Sequence, residues 1–363
     1  MNYKASLTIS KQRPSIRHSF RLWRESRLSG LIRTAAIAIL FLTIAGFAGL
    51  SAQASTFTVI NTNDSGAGSL RQAIIDANTH PGFDEVKFNI PGLGGVRTIT
   101  LASSLPWITD PITIDGYSQP GASPNTLANG DDATLLIEIN GANTLGGNGL
   151  VITGGSSNVQ GLIINRFSGT NPDACAVLIM NKGGNVISGN FIGTNAATSG
   201  PLLNTFGVHI QGSPNNTIGG AGLAMRNVIS GNWVGIQIEG AGATGNLVWG
   251  NFIGTDRNGT AAVGNGRGIV VTDIGTSNSH SLEIGGTAPH LGNVISGNSG
   301  DGIFLGKASW GMTIQGNLIG TDVTGKAALG NIGHGTNVQT DVPHALIIGG
   351  STPAARNVIS ANK

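Results

Sequence analysis

Short runs in which apolar and polar residues alternate recur along most of this chain. A glycine followed by such a run occurs at Gly207 (GVHIQ), Gly235 (GIQIE), Gly268 (GIVVT), Gly302 (GIFLG) and Gly335 (GTNVQ), with steps of 28, 33, 34 and 33 residues. Alternation with a period of two assigns faces to a strand. The first and third positions, Val208/Ile210, Ile236/Ile238, Ile269/Val271, Ile303/Leu305 and Thr336/Val338, are predicted to face a core. The second positions, His209, Gln237, Val270, Phe304 and Asn337, are predicted to face outward, as are the next alternate residues Gln211, Glu239, Thr272, Gly306 and Gln339. A second set of runs is led by asparagine. There the middle slot is always aliphatic (Ile187, Ile218, Ile229, Val248, Ile284, Ile295, Ile314, Ile348, Ile359), while Glu283, Thr313, Gln315 and Trp249 flank it and are assigned outward.

The runs belong to a repeat. NVISGN starts at Asn185, Asn227 and Asn293 and returns as NVISAN at Asn357; from 227 the steps are 66 and 64 residues. IGG follows at Ile218, Ile284 and Ile348, and NFIGT or NLIGT begins at Asn190, Asn251 and Asn317. The unit is therefore two turns of about 33 residues, each with three scraps of strand, one turn with its long loop after NFIGT and the other after IGG. Strands of three or four residues are too short for a sandwich or propeller, where about five to six is usual. They suit a solenoid whose coils stack at about 4.8 Å and pair in parallel. Glycine supplies positive φ at sharp corners, and stacked asparagines can hydrogen-bond in ladders.

Upstream of the repeats, FTVINTNDSGAGSLRQAIIDANTHPGFDEVKFNI reads as strand, turn, helix, turn, strand. Ser69 and Gln72 have the spacing of a capping box, and Leu70, Ala73, Ile74 and Ala77 share one helix face. This segment, 55–96, is expected to cap the apolar end of the stack. Residues 97–363 are assigned to the solenoid, with irregular coils to about 180 and regular ones afterwards. The chain stops within a repeat at Lys363, which reads as a fragment of something longer.

Charge changes the picture at the start of the chain. Residues 1–33 hold eight Lys/Arg and one acid, Glu25, whereas the remainder carries 12 basic and 17 acidic groups. That remainder is net acidic, which argues against nucleic-acid binding, since that needs clustered cations. The basic start runs into TAAIAILFLTIAGFAGLSAQA, uncharged throughout and closing on Ala52-Gln53-Ala54. It reads as an export signal, residues 1–54, cut between Ala54 and Ser55; an uncleaved anchor is the competing reading, because the run is nearly long enough to span a bilayer. Cys175 is the only cysteine, so no internal disulfide forms, and it is expected to be a small buried residue.

GSLRQA (68–73), LPWITDPITIDGYSQPG (105–121) and the NVISGN, NFIGTD and IGG units resemble bacterial exported proteins that join a CSLREA-type N-terminal segment to right-handed parallel β-helix repeats, within the pectin lyase-like superfamily. The likeness spans residues 55–363. It implies an all-β, right-handed parallel β-helix with a small α/β N-terminal cap, exported and then secreted or held at the cell surface of a bacterium. Gly68 and Gln72 stand where the namesake motif has Cys and Glu, so no role of that cysteine carries over.

The superfamily includes lyases and hydrolases of polysaccharides. A lyase of that kind needs clustered carboxylates for calcium and a basic residue, and a hydrolase needs paired Asp/Glu. The outward columns hold one carboxylate, Glu239. Asp131-Asp132 and His334, in GHG, resemble polygalacturonase fragments but are some 200 residues apart, and His334 occupies a slot filled by Arg267 and Asp301 in the preceding coils, which reads as a solvated turn. Asp256 and Asp322 sit at equivalent points of two loops, where an Asx-turn is favoured over calcium. No catalytic residue, metal site or cofactor is assigned. Trp233, Trp249 and Phe304 are aromatics at corners or outward slots, and are assigned as candidates for stacking on sugar rings, with packing between loops as the alternative. The resulting expectation is an exported structural or binding module, adhesive or glycan-binding, whose partner is a polysaccharide or cell-surface glycan. A polysaccharide lyase or glycoside hydrolase is the alternative, and a passenger on a C-terminal membrane anchor is a third reading. Membrane contact is expected only through the signal segment or such an anchor.

Overall fold

A computed structural model describes residues 54–363 apart from 93, 170–173, 276–281, 308, 310 and 340–344. The export segment assigned to 1–54 falls outside the described residues except for Ala54. Within them the strands form three sheets of ten, nine and seven strands, called A, B and C here, and every pairing between consecutive strands of a sheet is parallel. From Ile112 on, chain order visits A, B and C in turn, so each circuit of the chain lies on the one before it: Ile187 pairs with Ile218, Ile192 with Ile229 and Ile210 with Ile238. This is a right-handed parallel β-helix.

Its interior is one continuous aliphatic column. Val208, Ile210, Ile236, Ile238, Ile269, Val271, Ile303 and Leu305 are fully buried on sheet C, as are Ile187, Ile218, Val248, Ile284 and Ile314 on sheet A and Ile229 and Ile295 on sheet B. Each such burial contributes about 1.5 to 3 kcal/mol. The helix α1 (Leu70–Thr79) lies between the parallel strands β1 (Thr56–Val59) and β2 (Asp84–Phe88), and its buried Leu70, Ala73, Ile74 and Ala77 join the same core. The Ser69 hydroxyl accepts the Gln72 N–H at 3.2 Å, while the Gln72 side chain turns away to Asp76 instead of completing a capping box. At the other end of the described tube the inward slots open: Ile348 is 46 % and Ile359 47 % exposed.

Three asparagine ladders hold the corners. Asn185, Asn216 and Asn246 stand before sheet A, with side-chain amides linked to the next coil at 2.7 and 2.9 Å. Between sheets A and B run Asn190, Asn227, Asn251, Asn293, Asn317 and Asn357, and between B and C run Asn204, Asn232, Asn265, Asn298, Asn331 and Asn362. Each rung also serves the backbone: Asn227 Oδ1 accepts the Asn190 N–H at 2.9 Å and its Nδ2 donates to Ile187 O at 2.8 Å. Donors and acceptors of these buried amides are thereby paired, as a buried amide requires. The ladders also show that the four copies of the six-residue repeat are not in one frame. The copy at 185–190 joins the first ladder to the second and puts Val186–Ser188 in sheet A, whereas those at 227, 293 and 357 join the second to the third and lie in sheet B. One corner-strand-corner shape fits either side of the tube. Gly254, after FI, shows why NFIGT needs its glycine: φ is +91° and a Cβ there would sit 2.4 Å from Ser296 O.

The outward slots are less open than alternation suggests. His209, Gln237 and Val270 are 6 %, 7 % and 5 % exposed. They point away from the core, but coils so closely spaced press each side chain between its neighbours in the column, and His209 also stacks on Phe206 at 4.9 Å. Gln237 donates to Glu239 at 3.3 Å and Thr272 at 3.1 Å, so its column is a packed layer and not a solvated edge.

Candidate functional site

The outer face of sheet C carries the most chemistry. The Arg267 guanidinium lies 4.7 Å from the Phe304 ring centre, on the following coil, and the Arg267 N–H donates to the carbonyl of Trp233 on the preceding one. Trp233, at the corner between sheets B and C, is 66 % exposed. A cavity of about 630 Å³ opens here, lined among others by Ser168, Phe206, Trp233, Gln237, Arg267 and Val270. Among the described residues the Arg267 guanidinium has no hydrogen-bond acceptor; stacking fixes its plane and leaves its donor fork at the cavity mouth.

Polar pairs flank this groove. On the C-terminal side Asp301 Oδ1 is 3.0 Å from His334 Nδ1 and accepts the His334 backbone N–H at 2.9 Å, and Asp301 Oδ2 accepts from Asn337 at 3.1 Å. Burial alone would raise the Asp301 carboxyl, but those hydrogen bonds outweigh it and hold it below the ordinary carboxylate value. The slot shared by Arg267, Asp301 and His334 is thus not a simple solvated turn: Asp301 is buried and orients His334, whose ring is largely exposed. On the other side His209 Nε2 lies 3.1 Å from Glu239 Oε1, and Cys175, buried as expected, has its Sγ 3.7 Å from His209 Nδ1.

The outer face of sheet B is built differently. Residues 116–135 run over it and bury Ala133 and Leu135 against Ile163, Phe191, Val228 and Phe252. Two arginines pin them. Arg226 stacks on Phe252 at 4.4 Å and donates to the carbonyls of Leu127, Ala128 and Gly130; Arg257 stacks on Phe191 at 5.2 Å and donates to Asp131 O and Ala133 O. Asp131 is buried beside them, with Oδ1 3.6 Å from Arg257. Burial pushes its carboxyl above the usual value, against the Ala133 N–H and the two guanidinium charges. Asp132 caps a turn by accepting from Thr126. Asp256 and Asp322 do likewise in their loops: Asp256 Oδ1 accepts the Thr260 and Ala261 N–H groups, and Asp322 Oδ1 those of Lys326 and Ala327. Among the described residues no group of three or more His, Cys, Asp or Glu could hold a metal ion.

Of the three aromatics singled out by sequence, Trp233 and Phe304 meet around Arg267 on sheet C. Trp249 does not join them. It lies on sheet A, paired in register with Gly219, half-buried, its indole Nε1 enclosed without a partner among the described residues. Sequence reasoning missed Arg267 and the Asp301–His334 pair as parts of one face, although the alignment of GRGI, GDGI and GHG in successive coils carried the signal. It also missed Phe206, which alternation left outside the glycine-led run.

The fold and the groove define a right-handed parallel β-helix with an open aromatic and cationic face. No protein-family model matches the chain, and no curated protein does. Among solved structures, a crystal structure of alginate lyase from Paenibacillus sp. str. FPU-7 aligns with a TM-score of 0.27 and 15 % identity, over 81 % of this chain and 97 % of that one.

Proposed function

We propose that the protein is an exported bacterial β-helix that binds a polysaccharide on the outer face of sheet C. The observation that carries this reading is Arg267, held flat on Phe304 beside the exposed Trp233 at the mouth of a cavity of about 630 Å³. An indole face packs against the C–H face of a sugar, and a guanidinium with an unused fork takes a carboxylate through two parallel hydrogen bonds. A carboxylate-bearing glycan fits both groups. Retention of the protein on immobilised acidic polysaccharides tests it. Trp233→Ala is expected to weaken retention at least tenfold with an unchanged urea midpoint; unchanged retention on every acidic and neutral glycan tried refutes the assignment.

One observation favours a catalytic version of the same reading. His334 is exposed, oriented by a buried carboxylate and two coils along the column from Arg267. A lyase acting on a uronate needs a base for the proton next to the carboxylate and a cation to neutralise that carboxylate. His334 and Arg267 would fill those roles. Appearance of unsaturated products that is abolished in His334→Ala, with binding retained, supports catalysis; binding without turnover leaves the protein a binding module.

A further inference from the structure

The beginning of the described chain holds an arrangement used by neither the ladders nor the groove. The Ser55 backbone N–H donates to Asp84 Oδ1 at 2.9 Å. His80 Nδ1 lies 3.0 Å from the same oxygen, and His80 Nε2 lies 3.1 Å from Ser55 Oγ. Asp84 is fully buried at the start of β2, and its second oxygen, Oδ2, is enclosed with no hydrogen-bond partner among the described residues. Ser55 also lies where β1 joins the edge of sheet A, its carbonyl accepting the Glu85 N–H at 2.8 Å. A buried carboxylate with one oxygen unsatisfied is costly, and what Oδ2 lacks is a donor.

The peptide nitrogen of Ser55 has one N–H to give. An α-ammonium in the same position has three and carries a fixed positive charge below its own pKa. Ser55 is also the residue that follows the Ala52-Gln53-Ala54 cleavage pattern. We propose that hydrolysis of the Ala54–Ser55 bond creates a new N-terminus whose ammonium ion-pairs with Asp84 and fastens β1 to β2. Water supplies the atoms and a peptidase of the signal-processing class catalyses the step. Ala54 leaves with a new carboxylate, and the Ser55 nitrogen becomes an amine that takes up a proton. His80 is the other titratable group that contacts Asp84, from the end of α1, and it orients Oδ1 while the ammonium reaches Oδ2. Ser55, His80 and Asp84 share the bonding order of a hydrolytic triad, but here Oδ1 is divided between His80 and the serine's own nitrogen, which makes the trio an anchor for the chain start.

Expressing the full chain in an exporting bacterial host, then measuring the mass and N-terminal residue of the product, is the first arm. The product is expected to begin at Ser55. The second arm follows acylation of that amine against pH, in the folded protein and in urea. An ordinary α-amine titrates at about 7.7 to 8.0; in the folded protein the value is expected to rise by about one unit or more, slowing acylation at neutral pH roughly tenfold. Asp84→Asn is expected to remove the shift. Should that variant fail to fold, the folded and urea-unfolded wild type still decide the matter. A product starting at another residue, a Ser55 amine that reacts as fast folded as unfolded, or covalent capture of Ser55 by a fluorophosphonate overturns the proposal. None of these outcomes depends on glycan binding.

Discussion

Among the described residues three arginines lie over phenylalanines, and they differ in what else they hold. On sheet B, Arg226 and Arg257 each stack on a ring and donate to the carbonyls of residues 127–133, so both guanidinium groups fasten a loop to the tube. On sheet C, Arg267 has the same stack on Phe304 and no acceptor among the described residues. One coiled scaffold thus presents a face closed by its own chain and a face left open with its donors aimed outward. A buried polar group left without partners is costly, whereas an exposed cation is solvated at little cost. The closed face can therefore be read as stability and the open one as recognition.

The most severe way to break the comparison is to remove what both faces rest on. Ile229 is fully buried in sheet B and pairs with Ile192 and Ile253 on the neighbouring coils. Ile229→Asp forfeits about 1.5 to 3 kcal/mol of burial and places a carboxylate with no partner in the column, which adds several more. A domain's whole stability is about 5 to 15 kcal/mol. The variant is expected to lose its cooperative urea transition, followed by circular dichroism, together with all glycan retention.

A sharper test exchanges the two arginines' roles. Arg226→Ala leaves the carbonyls of Ala128 and Gly130 without a side-chain donor and bares Phe252, and is expected to cost about 2 to 4 kcal/mol with retention unchanged. Arg267→Ala is expected to change the urea midpoint by less than about 0.5 kcal/mol, as exposed substitutions do, while weakening retention on acidic glycans at least tenfold. If the two variants shift the midpoint equally, the division into a closed and an open face is wrong.

The tube was legible in the sequence because its rules are local and repeated. A period of two along Val208/Ile210 or Ile236/Ile238 reports the face directly, and a corner asparagine recurs wherever a coil must match its neighbour. What was not legible depends on distances across coils. Gln237 occupies an outward slot yet is buried, because lateral packing within a column is not encoded in the alternation of its own strand. The shared letters of the copies at 185 and 227 hid a change of sheet, since sequence marks the shape of a corner and not its place around the axis. The loop 116–135 shows no periodicity, and its partners Arg226 and Arg257 are about a hundred residues away, so the closure of sheet B could only be seen in the fold. Trp233 and Phe304 were separable from Trp249 by the same token: all three are aromatics in outward positions, and only their sheets tell them apart.

The two faces also differ in how their acids should respond to pH. Asp131, on the closed face, has its folded carboxyl raised, so the native state holds its proton where the unfolded chain has already released it. Stability from this group is present at low pH and falls as pH rises between the ordinary carboxylate value and the raised one. Asp301, beside the open face, is lowered by His334 and Asn337, so its contribution is full above the ordinary value and lost as pH falls through the lowered one. Urea midpoints measured between about pH 2 and 6 should therefore change slope in opposite senses when Asp131→Asn and Asp301→Asn are compared with wild type. Slopes of the same sign would mean that one carboxylate sits in a different environment from the one described.

The smallest effect is expected at Trp249, and it bears on how specific the open face is. If any half-exposed aromatic on this tube could hold a sugar, the sheet on which it stands would not matter. Trp249 stands on sheet A beside Gly219, with its indole nitrogen enclosed, so it presents no donor to a ligand, and no cation stacks beside it among the described residues. Trp233 presents its face next to Arg267. Trp249→Ala should therefore leave glycan retention within about twofold of wild type and lower stability by about 1 to 3 kcal/mol, the cost of a half-buried aromatic and less than the roughly 3 to 5 of a fully buried one. A tenfold loss of retention at Trp249 with Trp233→Ala silent would move the binding surface to sheet A and leave Arg267 without a role.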